Sequence, residues 1–141
     1  MNIRFKRIHH IGIAVPDLDT GAAIWGPEGL GLTEEGREDV TEARTRVSMY
    51  PVGDTRIELL EAMGPDTPVA QFLNKRGPGI HHICFEVEDI EAECARLRGL
   101  GMRLLSETPQ PGAHGSRVMF ILAKDSGGVL VERNEFSQEP A

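Results

Sequence analysis

Cysteine is almost missing from this chain: Cys84 and Cys94 are its only two, ten positions apart and without CxxC spacing. That excludes a disulfide framework and favours a reducing compartment. Long apolar runs are missing as well. None approaches the 18 residues of a membrane span, and the opening "MNIRFKRIHH" has no stretch suited to a signal peptide. The expectation is a cytoplasmic protein with no membrane partner. A basic block is the third absence. Lys and Arg total 15 against 22 Asp and Glu, a net charge of −7, which argues against a nucleic-acid partner. It does not argue against a small anionic ligand, because a local cluster can reverse the average field.

What the chain does have is ordinary for a globular domain: 40% apolar and 26% charged residues over 141 positions. A chain of this length suits one domain, or two small modules sharing a core, and should bury about 68–70% of the surface exposed when unfolded.

It also repeats itself. "HHIGIAVPDL" begins at His9 and "HHICFEVEDI" begins 72 positions later at His81. The same offset carries Val15-Pro16-Asp17-Leu18 onto Val87-Glu88-Asp89-Ile90. Each run alternates like a strand and ends at an Asp suited to capping a helix. Strand-like segments follow: "RTRVSMYPV" and "TRIELLEA" around the Gly53-Asp54 turn, then "MRLLSE", "SRVMFILA" and "GVLVERN" in the second half. The fold class expected is α+β, with two paired βαβββ modules forming a curved mixed sheet around a concave metal site. Module one covers about 7–62 and module two about 80–134. The linker, about 63–79, carries a short helix around "VAQFLNKR". Two copies are too few for a solenoid, and a concave face is where ligands bind.

Strand parity divides each histidine pair. His9, Ile11, Ile13 and Val15 share one face, and His81, Ile83, Phe85 and Val87 its equivalent. These bulky faces pack under the helices, with His9 and His81 hydrogen-bonded to nearby backbone. His10 and His82 fall on faces of small or polar residues, as suits a cavity lining. Glu58 and Glu132, 74 positions apart, each interrupt an apolar strand. Such a carboxylate is paired, metal-bound, or at a wet wall; a solvent-facing edge position is the plain alternative. Together His10, Glu58, His82 and Glu132 make a nitrogen/oxygen donor set for one divalent ion per chain. Zn2+, Co2+, Mn2+, Ni2+ and Fe2+ all suit it.

These motifs bring out a resemblance. "HHIGIAVPDL", "PVGDTRIELLE", "GIHHICFEV" and "PGAHG…GGVLVE" resemble the vicinal oxygen chelate superfamily (the glyoxalase, bleomycin-resistance and dioxygenase group) and within it the methylmalonyl-CoA epimerases, from about Ile8 to Glu132. The resemblance implies the same four ligands, with Gln or Glu at the position of Glu58, and favours Co2+ or Mn2+. It implies interconversion of (R)- and (S)-methylmalonyl-CoA, or a related acyl-CoA, by removal and return of the C2 proton through a metal-stabilised enolate. It places a catalytic base at Glu42, which by sequence alone is one of many surface acids, with Glu132 as its partner. It also suggests that Gly112, Ala113, His114 and Gly115 close over the substrate, although "PGAHG" needs no function as a turn. Lys6, Arg7, Lys75 and Arg76 are candidates for CoA phosphates or simply solvated surface. A homodimer is implied too. The chain departs from the family pattern at Ala43-Arg44-Thr45, where Gln-Gly and an apolar residue are usual, at Leu122-Ala123, and at Ile24-Trp25.

Three other readings compete. A glyoxalase I-type isomerase uses four similar ligands, and substrates exchange readily on one fold. A ring-cleaving dioxygenase wants more nearby His or Tyr than His114 and Tyr50 supply. A metal-free ligand-binding protein has no need for duplicated His and Glu.

Overall fold

The computed structural model describes residues 4–137. Eight strands and three α-helices follow in the order β1 (Phe5–Ala14), α1 (Leu18–Trp25), β2 (Gly36–Val40), β3 (Thr45–Val52), β4 (Thr55–Ala62), α2 (Pro68–Arg76), β5 (Gly79–Val87), α3 (Ile90–Gly99), β6 (Gln110–Pro111), β7 (Arg117–Ile121) and β8 (Val131–Glu135). Two βαβββ modules are present, as the repeat predicts. The chain divides into two compact units whose boundaries fall inside the histidine pairs. His10–His81 forms one, and the segments up to His9 and from His82 form the other.

In the first unit the strands lie in the order β2-β3-β4-β1. β1 runs parallel to β4, with Gly12 opposite Glu58, and β2-β3 and β3-β4 are antiparallel. One face packs Ile13, Val15, Leu18, Tyr50 and Leu59 into a core beneath α1. Gly21 lets that helix approach closely, since a Cβ there would stand 2.6 Å from Leu59 Cδ1. α1 stops at Gly26, where the sequence turns to Gly and Pro. α2 starts from Thr67, whose Oγ1 accepts from Ala70 N, with Pro68 in the first turn.

The second unit repeats the plan in the order β5-β8-β7-β6. β5 runs parallel to β8, with Cys84 opposite Glu132, and β7 pairs antiparallel with β8. Val87, Ile90, Cys94 and Met119 form the core beneath α3. Both cysteines are buried free thiols, and burial pushes the Cys94 thiol above its ordinary pKa.

Helix entry is duplicated as closely as the histidines. Asp17 caps α1 by accepting from Thr20 N, and Asp89 caps α3 by accepting from Ala92 N. A second acid reaches each helix from the sheet. Glu61 accepts from Leu18 N at 2.8 Å and Glu135 from Ile90 N at 2.7 Å. Each lies three residues beyond a proposed ligand, so the two acids point to opposite faces of one strand.

Two expectations need correction. β2, "GREDV", is a strand although its pattern does not alternate. "MRLLSE" makes only an isolated bridge, Leu104 to Ile121, and β6 is the two-residue Gln110–Pro111 instead. Pro109 and Pro111 bring no N–H to a ladder, while Arg98 Nη2 donates to the Ser106 and Glu107 carbonyls, holding the segment as a loop.

Candidate metal centre

Each unit carries one His–Glu pair, and the strand registers explain why. In the first unit Glu58 lies opposite Gly12 of the adjacent parallel strand, two positions beyond His10 and therefore on the same face. His10 Nε2 reaches Glu58 Oε1 at 3.2 Å. In the second unit Glu132 lies opposite Cys84, two positions beyond His82, and His82 Nε2 reaches Glu132 Oε1 at 3.0 Å. All four residues are 3–5% exposed. The solvent-facing edge reading of the two glutamates is thereby overturned, because β4 and β8 each have a strand on both sides.

Within each pair an imidazole nitrogen and a carboxylate oxygen converge in a buried place. That donor chemistry fits one side of the shell of a divalent cation, and two such pairs supply two negative charges and four donors. The second pair is steadied by Phe120, whose ring stands edge-on to His82 with centroids 5.4 Å apart.

Glu132 is also held from behind. The next residue, Arg133, points to the opposite face, where its guanidinium lies between Phe5 and Phe85 at 5.0 and 5.2 Å. Arg133 Nε donates to Glu93 Oε2 of α3 at 2.7 Å, and Arg96 supplies two more hydrogen bonds to the same carboxylate. Glu93 is fully buried. Burial alone would raise its pKa, but the hydrogen bonds from Arg96 and Arg133 prevail and hold it below the ordinary value. Sequence reading missed this anchor, although an acid amid the apolar positions of α3 and an Arg directly after Glu132 were its visible signals.

The first histidine of each pair turns from the ligand face, as parity predicts. It meets an aromatic ring in each case: His9 stacks at a tilt on Phe136 at 4.9 Å, and His81 meets Phe72 edge-on at 5.0 Å.

The other candidates sit in local settings of their own. Glu42 is an exposed residue of the turn between β2 and β3, with Thr41 Oγ1 donating to its Oε2. The hairpin register puts Thr45, at the end of that turn, opposite Ala62, four positions along β4 from Glu58. That is about 13 Å at the usual rise per residue. The Gly112–Gly115 loop is a short 3-10 turn in which His114 adopts φ 57°. Gly112 N donates to Ser116 O and the Ser116 hydroxyl to Ala113 O. Lys6 and Arg7 both pair with Glu86, at 3.8 and 3.0 Å, so one of their two charges is already compensated. Lys75 and Arg76 close α2, with Arg76 over the Phe72 ring at 5.7 Å.

Residues 9–120 match the Glyoxalase/Bleomycin resistance protein/Dioxygenase superfamily. The chain belongs to that superfamily. Two relatives sharpen the placement within it. The chain is 44% identical over 128 residues to an ethylmalonyl-CoA/methylmalonyl-CoA epimerase of Cereibacter sphaeroides, covering 89% of this chain and 95% of the relative. It is 42% identical over 127 residues to the mitochondrial methylmalonyl-CoA epimerase of Homo sapiens, covering 89% and 72%. Among solved structures, the methylmalonyl-CoA epimerase from Mycobacterium tuberculosis superposes with a TM-score of 0.91 at 36% identity, over 98% of this chain and 93% of that one. The superfamily resemblance and the α+β class with two βαβββ modules therefore hold.

Proposed function

We propose that this protein is an epimerase that interconverts the (R) and (S) forms of methylmalonyl-CoA or a closely related acyl-CoA, with one divalent ion held by His10, Glu58, His82 and Glu132. The observation that carries the reading is the duplicated buried pair, His10 with Glu58 and His82 with Glu132, in a chain 42% and 44% identical to two epimerases. A divalent ion at these donors supplies Lewis-acid stabilisation of the negative charge that develops when an acidic C–H beside a thioester is deprotonated. The chain's own residues do the rest. His10 and His82 present Nε2 to the ligand face, and the Glu93–Arg133 anchor fixes the strand that bears Glu132.

Epimerisation needs an acid/base group on each side of the planar carbanion. One carboxylate takes the C2 proton as the C–H electron pair moves into the enolate. A carboxylic acid on the opposite side returns a proton to C2. Glu132 is assigned to one side: its Oε1 faces His82, and its second oxygen handles the proton. The resemblance places the other group at Glu42, but the level of that turn along β4 favours a different acid. The 112–115 loop is assigned to the substrate's thioester end. Co2+ or Mn2+ as the ion, a homodimer, a cytosolic setting and a role in propionate metabolism belong to the same proposal.

The test is proton exchange at C2 of methylmalonyl-CoA in D2O, with metal-loaded and metal-stripped protein. Exchange accompanied by epimerisation, restored by Co2+ or Mn2+ after stripping, is the expected result. The absence of exchange in both states, or turnover of a methylglyoxal–glutathione hemithioacetal instead, would exclude the reading.

A further inference from the structure

The proposed reaction requires an acid on the ligand-bearing face of the first module, and sequence comparison alone did not find one at the right level. The sheet register does. β2 pairs antiparallel with β3 so that Glu38 lies opposite Val47, and Val47 in turn lies opposite Leu60 of β4. Residues opposite one another in a sheet share a face. Glu38, Val47 and Leu60 therefore form one row, and the adjacent row on that face is Gly36, Met49 and Glu58. Glu38 stands two strands over from Glu58, about 10 Å, and two positions along, about 7 Å. Glu42 is displaced about twice as far along the strand.

The neighbours of Glu38 confirm which way it points. Arg37 donates to Asp19 of α1, and Asp39 accepts from Arg46, which also binds the helix-capping Glu61. Both flanking residues thus face the helix side, and Glu38 faces the other. There it is half-buried against a wall of Val47, Met49 and Leu60, all three buried. The way from Glu38 toward Glu58 is open at Gly36, where an added Cβ would meet nothing within 4 Å.

From this placement we infer that Glu38 is the catalytic acid/base residue of the first module, the group that takes or returns the C2 proton opposite Glu132. The assignment rests on the epimerase reading given above. In one direction the Glu38 carboxylate accepts the C2 proton while protonated Glu132 delivers its own to the other side of the enolate. In the reverse direction the roles exchange, and no other reactant is consumed.

Glu38→Gln and Glu42→Gln, each with metal content measured, are to be assayed with (2R)- and (2S)-methylmalonyl-CoA separately in D2O. Glu38→Gln is expected to slow epimerisation by about 100-fold or more with metal content unchanged. One epimer should still exchange its C2 proton with retention, through Glu132. A residue that merely supported the sheet would slow C2 proton exchange from both epimers alike. Epimerisation within threefold of the parent, equal loss of C2 proton exchange from both epimers, or the stereoselective loss of exchange appearing in Glu42→Gln instead would overturn the assignment. If the parent protein fails to epimerise either form, the underlying reading falls and the inference with it, a result distinct from an active parent with an active Glu38→Gln.

Discussion

Replacing Glu93 by Gln should destabilise the protein far more than a change on the surface of a helix ordinarily does. Glu93 is 0% exposed and accepts three hydrogen bonds at 2.7–3.0 Å, one from Arg133 and two from Arg96. Arg133 is itself buried, and its Nη1 has no hydrogen-bond partner, so Glu93 is the anion that offsets its charge. Removing one partner of a buried ion pair costs about 3–5 kcal/mol, because the remaining charge stays desolvated. The Gln amide oxygen preserves one hydrogen bond, which places the expected loss near the lower end, about 3 kcal/mol. Arg96→Ala is the control: that side chain is 36% exposed, and its loss should cost under about 1 kcal/mol. Urea unfolding at equal slope reads both values. The pH dependence has a definite sign. The folded pKa of Glu93 lies below its ordinary 4.5, so the stabilisation is complete above pH 4.5 and is lost as pH falls through the folded value. The gap between parent and Glu93→Gln should therefore be flat from neutrality down to about pH 5 and narrow in stronger acid. A loss below 1 kcal/mol at neutral pH, or a gap that widens on acidification, would refute the reasoning.

Arg44 adopts φ 49° at the end of the Glu42 turn, and its ion pair with Asp66 at 2.9 Å is largely exposed. Arg44→Gly should leave thermal stability equal or raised by up to about 1 kcal/mol, while Arg44→Val loses about 1–2 kcal/mol from strain in the left-handed region. Glu58→Gln should keep most of the bound metal, since a Gln oxygen can still coordinate, and Glu58→Ala should lose it; metal analysis after gel filtration distinguishes them. Gly21→Ala should cost about 1–3 kcal/mol in chemical denaturation, because the new methyl meets Leu59 at 2.6 Å.

The residues of the two His–Glu pairs of the candidate site were legible because the signal was duplicated and periodic. A period of two assigns His10 and His82 to one face without any knowledge of partners, and the offsets of 72 and 74 match histidine with histidine and glutamate with glutamate; which glutamate meets which histidine comes from the strand registers. β2 was not legible: Gly36–Val40 reads "GREDV", four of whose five residues are small or charged, because an edge strand satisfies its outward acids and bases with side chains from elsewhere. Glu38 was hidden with it. Glu42 illustrates the converse case. Counting back from a turn fixes a residue's place in the sequence but not its level along the neighbouring strand, and only the register of Thr45 with Ala62 reveals that. "MRLLSE" looked like a strand because its apolar residues suit one, whereas the two prolines that end the ladder lie just beyond it.

Metal stoichiometry tests the central claim most directly. If the two His–Glu pairs build one centre, the reconstituted protein binds one Co2+ or Mn2+ per chain, and His10→Ala and His82→Ala each abolish that binding. Two ions per chain, with one retained in each variant, would show that the pairs act as separate sites and would contradict the account.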